Sequence, residues 1–280
     1  MIEANAAFAK SSTSNNRDAP SITLAVDSGV ARITLSRPDK GNSIGVDFVN
    51  TLERITLECS ERDDIRAVVI ASTGSYFSVG GDIDDMVSHR GGLSLPGYIR
   101  KCNASLQGSL ARLQHMAAPS LGIVQGTAAG GGVSLVASCD IIIASENARF
   151  VAAYASVGYC CDMGGSTMLT RRLGVARARR FYLLHEQLNA AAAAEVGLVD
   201  IVVAPEKLSE AADAIIRRWA NGPTAAYAEI RRLMISAQAT PYETQMELET
   251  QSLARLVQTE DAKEALAAFV QKRPARFSGT

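Results

Sequence analysis

The chain has 280 residues, with 28 Lys+Arg against 29 Asp+Glu and a formal net charge of −1. That length suits one large domain, or a domain with a satellite, and can bury a sizeable core; the near-zero charge argues against a general attraction for nucleic acid or acidic membranes. Five cysteines without CxxC spacing, and three histidines with neither HExxH nor a Cys/His cluster, speak for reduced thiols in a cytosolic protein and against a zinc site.

Residues 1–20 are rich in Ser, Asn and Ala and lack the continuous apolar core of a signal peptide, so they read as a disordered extension. No apolar run approaches the roughly 20 residues that a membrane-spanning helix needs, and a cytoplasmic location is expected. Residues 21–26 and 30–35 alternate apolar and polar around Asp27-Ser28-Gly29, a hairpin signal. A polar loop, RPDKGNSIG, follows over 37–45. The apolar stripe of 46–59 predicts a helix, and 65–72 a buried strand. Residues 74–86, GSYFSVGGDIDDM, form a glycine-bearing loop leading into a helix. A mobile surface stretch is expected over 87–97 and a helix over 98–116, stopped by Pro119.

Strands are predicted at 121–124, 141–144, 149–151 and 198–203, with helices at 164–173, 176–184 and 190–194. From Pro205 onward the pattern is helical throughout: 206–219, 223–237, 241–258 and 260–270, punctuated by Gly222-Pro223 and Pro241. Tyr242, Met246, Leu253, Leu256 and Val257 read as a buried stripe that Glu249 interrupts as a salt-bridge member. The body therefore repeats strand, loop and helix, as in a parallel α/β sheet. The expected division is an extension over 1–20, an α/β core over 21–204 and a helical oligomerisation region over 205–280.

The stretch GTAAGGGVSLVASCD, residues 126–140, is the most informative. Three consecutive glycines, Gly130, Gly131 and Gly132, open a small-residue helix. Such a run aims free N–H groups and the positive end of a helix dipole at one point, or it lets a helix pack tightly on a sheet. Loops at the carboxyl ends of parallel strands are where α/β proteins build sites. The loops at 74–82 and 125–132 match neither a P-loop nor GxGxxG, and no GxSxG is present. One N–H from each can meet on one oxygen as an oxyanion hole. Asp162, among Tyr159, Cys160, Cys161 and Met163, is the candidate to move protons. In such surroundings it would lose hydration, which strengthens it as a base; the alternative is that it caps the helix beginning near Gly164.

FSVGGDI at 77–83, QGTAAGGGVSLVASCDIIIAS at 125–145, GL at 197–198, RP at 37–38 and AFVQKRPARF near the C-terminus resemble the crotonase (enoyl-CoA hydratase/isomerase) superfamily over about residues 21–278. The resemblance implies an α/β fold, the ClpP/crotonase-like spiral of ββα units with a C-terminal helical trimerisation region. It implies a homotrimer or a homohexamer built as a dimer of trimers, and an acyl-CoA thioester substrate whose coenzyme A is part of the substrate, with no separate cofactor, nucleic acid or membrane partner. Carried onto this sequence, it assigns the oxyanion N–H groups to Gly81 and Gly131. It places the adenine against backbone around Val79, Gly81 and Ile83, counts Asp82 and Gly130 among the substrate-binding residues, and gives Lys40 and Lys272 to the coenzyme A phosphates.

The departures from the pattern carry the functional expectation. Hydratases of this superfamily place one glutamate two residues after the glycine triplet and another in the following strand-loop. Those positions hold Ser134 and Tyr154, and adding water needs groups that both place the water and exchange protons. Asp162 matches the working aspartate of the superfamily's dienoyl-CoA isomerase and of its dehalogenase, but the histidine that assists the latter corresponds to Gln107. RFVAAYASVGYCCDMGG and AFVQKR most resemble the phenylacetate-pathway ring-epoxide (1,2-epoxyphenylacetyl-CoA) isomerase type. The expectation is an acyl-CoA isomerase with Asp162 as acid and base. Ser134 and Tyr154 then line the pocket, orienting Asp162 or shaping room for a ring, or they merely pack. The alternatives are a hydratase or acyl-CoA hydrolase with atypical residues, and a non-catalytic acyl-CoA-binding protein.

Overall fold

A computed structural model describes residues 20–88 and 92–280. The extension expected over 1–20 lies outside them except for Pro20. Two strands open the fold, β1 (Ile22–Asp27) and β2 (Val30–Leu35). They pair antiparallel from Ile22↔Leu35 to Asp27↔Val30. Ser28 and Gly29 turn the hairpin with φ of 50° and 77°, the two left-handed residues of a tight turn whose twist matches its strands.

The chain continues as α1 (Val46–Ser60), β3 (Ala67–Ser72), β4 (Tyr76–Ser78), α2 (Ile83–Ser88), α3 (Leu95–His115), β5 (Ser120–Val124), β6 (Thr127–Ala129), α4 (Gly131–Ala137), β7 (Ile141–Ser145) and β8 (Arg149–Val151). Then come α5 (Gly165–Leu173), α6 (Val175–Leu183), β9 (Gln187–Asn189), α7 (Ala190–Glu195), β10 (Ile201–Val203), α8 (Leu208–Ala220), α9 (Thr224–Ser236), α10 (Tyr242–Leu256) and α11 (Glu260–Val270).

The strands form two sheets, one of order β1-β2-β3-β5-β7-β10 and one of order β4-β6-β8-β9. The large sheet is parallel from β2 onward, and the small one is parallel except for β9. Three times in succession the chain gives one strand to the large sheet, the next to the small sheet, and then a helical segment. This is a ββα unit repeated as a spiral.

Both faces of the large sheet are buried, which is why β3 reads as an unbroken apolar run. Val68 and Ile70 join the main core with Ile33, Leu35, Leu52, Ile55, Phe77 and Phe150. Ala67 and Val69 face the other way, onto Leu208, Ala212 and Ile216 of α8. Each large apolar side chain so enclosed contributes about 1.5–3 kcal/mol.

Two expectations are corrected. Residues 95–97, assigned to a mobile stretch, already belong to α3: the Ser94 hydroxyl accepts from Gly97 N, and a proline sits in the first turn, a start that helices favour. Of the rest of that stretch, 89–91 lie outside the described residues. The stripe on α10 is not buried within the chain, since Tyr242 is 73% exposed and Leu253 63%. Gln245 and Ser252 are buried instead. Gln245 Nε2 donates to Leu233 O and Arg232 Nη2 to Ser252 Oγ. Helix α10 thus docks on α9 through a polar seam and turns its apolar side outward.

Candidate active site

Three parallel strands of the small sheet end at one place. Val79–Asp82 follows β4, Gly130–Ser134 follows β6, and Ala152–Tyr154 follows β8. The strands are three residues each, so the loops are held by short ladders and by cross-links from the loop at 37–45. Val79 N donates to Gly41 O, Ile44 N to Gly80 O, and Asp82 N to Ile44 O, at 2.8–3.1 Å. These bonds alternate around Gly81, and its N–H donates to no acceptor among the described residues. Asn42, held at φ 54° and buried, braces the same loop by donating from Nδ2 to Thr73 O and Tyr76 O.

Gly131 is the first residue of α4, so its N–H has no intrahelical partner, and none is recorded elsewhere among the described residues. The two loops touch. A Cβ on Gly80, whose φ is +88°, would lie 2.8 Å from Ala129 O and 3.4 Å from Gly131 N. Gly130, with φ +50°, turns the chain into the helix, and its own N–H is tied to Val151 O. Two unpaired amides at adjoining loop ends, one of them at a helix N-terminus, suit an oxygen that gains negative charge.

Asp162 lies beyond β8 and the 3-10 turn Tyr154–Val157. The capping alternative does not hold for its side chain. Gly164 is the N-cap of α5 with no side-chain cap bond, and Asp162 contributes only its carbonyl, which accepts from Gly165 N. Its carboxylate turns to Tyr154, whose hydroxyl donates to Oδ1 at 2.6 Å. Ser134 Oγ lies 3.1 Å from the same phenol oxygen. Met163 follows at φ 52° and is buried, and its sulfur would lie 3.1 Å from a Cβ on Gly131. The Tyr154 hydroxyl would lie 3.8 Å from that same point. Burial first, and the Asp162 charge second, push the Tyr154 phenol well above its ordinary value of 10, so it stays protonated.

The structure therefore brings together Gly81, Gly130, Gly131, Ser134, Tyr154 and Asp162. Lys40 ends a 3-10 turn next to Gly41, which packs on Val79. Ile83 is exposed at the start of α2. The Asp82 carboxylate is engaged elsewhere: Oδ1 accepts from Asp85 N and Oδ2 from Ser43 Oγ. Lys272, exposed just after α11, has no recorded contact with these loops. Tyr182, which the sequence reading missed, holds its ring tilted at 57° and 6.2 Å from that of Tyr154; an aromatic on α6, next to the buried Phe181, carries no sequence signal for such a place. A separate open groove of about 510 Å3 between β1 and α1, lined in part by Leu24, Val26, Arg54 and Glu58, adjoins none of these loops. Among the described residues no group of three or more His, Cys, Asp or Glu is arranged to hold a metal, and no helix is long and apolar enough to cross a membrane.

The sequence and the fold have counterparts among known proteins. The profile of the family described as Enoyl-CoA hydratase/isomerase matches residues 25–280. A trans-2-decenoyl-[acyl-carrier-protein] isomerase of Streptococcus mutans is 30% identical over 94% of this chain and 99% of its own. The 1,2-epoxyphenylacetyl-CoA isomerase of Escherichia coli is 32% identical over 91% and 97%. The crystal structure of an enoyl-CoA hydratase from Mycobacterium smegmatis superposes with a TM-score of 0.85 at 29% identity, covering 92% of this chain and 98% of that one.

Proposed function

Because this chain belongs to the enoyl-CoA hydratase/isomerase family, we propose that it is an acyl-CoA isomerase in which Asp162 is both acid and base. The observation that carries this reading is that Ser134 and Tyr154, at the positions where the family's hydratases would present two glutamates, are joined by hydrogen bonds to the carboxylate of Asp162, with the Tyr154 hydroxyl close to Gly131. Asp162 takes a proton from C2 of a 3-enoyl thioester. The electrons of that C–H bond move toward C1, and the thioester oxygen becomes an oxyanion, giving a dienolate. The Gly81 and Gly131 amides hold that oxygen, each such donor supplying on the order of 3 kcal/mol of the barrier reduction. The electrons then return through the conjugated system, C4 takes the proton from Asp162, and the 2-enoyl thioester results with no atom gained or lost.

Coenzyme A enters as part of the substrate, and no further cofactor is required. Backbone around Val79, Gly81 and Ile83 receives the adenine, and Lys40, beside Val79, meets phosphate. The E. coli relative extends the proposal to rearrangement of a ring epoxide, with Tyr154 as a pocket wall. The exposed Tyr242, Leu253, Leu266, Phe269 and Val270 on α10 and α11 exceed scattered surface apolarity and support assembly into a trimer or hexamer, in the cytoplasm.

The test is a two-product assay on a short 3-enoyl-CoA and its 2-enoyl isomer, following conjugation by ultraviolet absorbance and hydration by mass. Interconversion without mass gain is expected, and Asp162→Asn should lower kcat by about 10²–10⁴-fold while acyl-CoA still binds. A water adduct or free coenzyme A as the main product would overturn the isomerase reading, as would full activity in Asp162→Asn.

A further inference from the structure

The bond from Tyr154 to Asp162 has a direction that decides more than contact. A phenol carries one hydrogen, and here it goes to Asp162 Oδ1. The contact between Ser134 Oγ and the Tyr154 oxygen must then run the other way, with the serine donating. The chain of bonds is Ser134 to Tyr154 to Asp162, and it ends on one oxygen of the carboxylate. Asp162 Oδ2 accepts from no group among the described residues.

Each link is held from behind. Ser134 is fully buried on α4, three residues after Gly131, so the helix that presents an oxyanion amide also aims the serine. The first residue of α5 is Gly165, and a Cβ there would collide with Ser134 Oγ and lie 2.8 Å from the Tyr182 hydroxyl. Only a glycine lets the segment that carries Asp162 seat this closely against α4. Tyr182, itself edge-on to Phe181 at 5.6 Å, backs the Tyr154 ring. The phenol keeps its hydrogen because burial and the neighbouring charge oppose its ionisation. It is therefore a fixed donor and does not exchange protons with the substrate.

Resting on the isomerase reading above, we propose that Tyr154 is a positioning residue: its phenol, oriented by Ser134, immobilises Oδ1 of Asp162 and leaves Oδ2 as the one oxygen that carries the proton between C2 and C4. A carboxylate held at one oxygen keeps the other over the same face of the dienolate until the proton is returned. A free carboxylate rotates about its Cβ–Cγ bond, presents either oxygen, and yields its proton to water between the two steps.

The experiment uses the full-length enzyme, a 3-enoyl-CoA carrying deuterium at C2, and Tyr154→Phe. Expected are a kcat lower by about tenfold to a hundredfold, as for a catalytic group displaced by about an ångström, a KM within about threefold of the parent's, and a severalfold smaller share of the deuterium recovered at C4. Loss of packing alone would not move that share in the folded fraction. Should Tyr154→Phe fail to fold, Ser134→Ala loosens the same phenol without removing it and is expected to lower kcat by about threefold to tenfold and the deuterium share with it. Parental kcat and deuterium share in Tyr154→Phe, or in Ser134→Ala where the first variant is unusable, would overturn the positioning role and leave the isomerase reading standing. An active Asp162→Asn would instead remove the reading on which it rests.

Discussion

Gly132 rests directly on Ser78: a Cβ at Gly132 would stand 2.7 Å from the Ser78 carbonyl oxygen and 2.9 Å from its Cβ. The start of α4 thus lies directly against the last residue of β4, and this contact limits how near Gly131 comes to the loop that carries Gly81. Gly132→Ala is expected to cost about 1–3 kcal/mol of stability through overpacking and at least about tenfold in turnover by parting the two amides. Gly108→Ala, in the middle of α3 with only the tip of Arg112 nearby, should be neutral or stabilising by up to about 1 kcal/mol. Urea unfolding and initial rates on both variants check this, and equal damage from the two would contradict it.

Arg231 is the second structural hinge-pin. It is buried, its Nε bonds the Asp140 carboxylate at 2.8–2.9 Å, and its remaining nitrogens reach Leu113 O, Met116 O and Ala118 O. It thereby closes the C-terminal end of α3 from helix α9. Arg231→Ala leaves a carboxylate and three carbonyls short of a partner, and a loss of about 3–5 kcal/mol is expected. Arg231→Lys should recover little, because one ammonium cannot span a planar fork's acceptors. A denaturation midpoint near the parent's in the lysine variant would show that charge alone suffices.

The five thiols should separate by reactivity. Cys160 is exposed and Cys161 half-buried, while Cys59, Cys102 and Cys139 are buried. Burial pushes Cys59 up to about 11 and Cys139 to about 12, and raises Cys102 and Cys161 as well. Since the thiolate is the reacting form, a chromogenic disulfide reagent should titrate Cys160 quickly and Cys161 slowly. The other three should respond only in denaturant. Fast labelling of Cys59 or Cys139, mapped by mass, would contradict the packing described.

Glu229 supplies a pH signature in the C-terminal helices. Hydrogen bonds from Arg232 first, then Ser252 and Arg255, hold its carboxyl down to about 2 from an ordinary 4.5. A lowered carboxylate stabilises the fold above its unfolded value, and that contribution fades as the pH falls from 4.5 through about 2. Glu229→Gln should thus be the less stable protein at pH 7, by a small margin because the pair is partly solvated, and the gap should close across that window. Thermal melts at pH 7, 4 and 2.5 read this directly; a gap that widens toward acid would reverse the assignment.

Much of the frame was legible in the sequence, and the part that was not has a common cause. The hairpin, β3, β5 and β7 announced themselves because alternation or an unbroken apolar run extends over five or six residues. The small sheet went unseen apart from β8, since strands such as Tyr76–Ser78, Thr127–Ala129 and Gln187–Asn189 are shorter than any period can register. Yet that sheet is what gathers the site loops. Gly131 could be singled out because glycine triplets are rare and have a steric meaning. The link from Tyr154 to Asp162 stands in the sequence only as one of several readings of Tyr154, because the seven intervening residues fold through a 3-10 turn and the left-handed Gly158 before the side chains meet. The stripe on α10 shows the opposite failure: its periodicity was right and its direction was not, since Gln245 and Ser252 anchor the helix by hydrogen bonds that hydropathy does not register.

The cross-links from Gly41 and Ile44 to Val79, Gly80 and Asp82 have a consequence for how this molecule can diversify. On the proposed reading the oxygen-holding half of the site is written in main chain, and its Gly81 side is fixed by bonds between main-chain atoms of two loops. The proton-handling half is written in three side chains standing on separate segments. On that reading, new reactions can be tried one side-chain substitution at a time while the main-chain donors go on holding the thioester oxygen, so an intermediate sequence on such a path need not pass through a protein that has forgotten how to bind its electrophile.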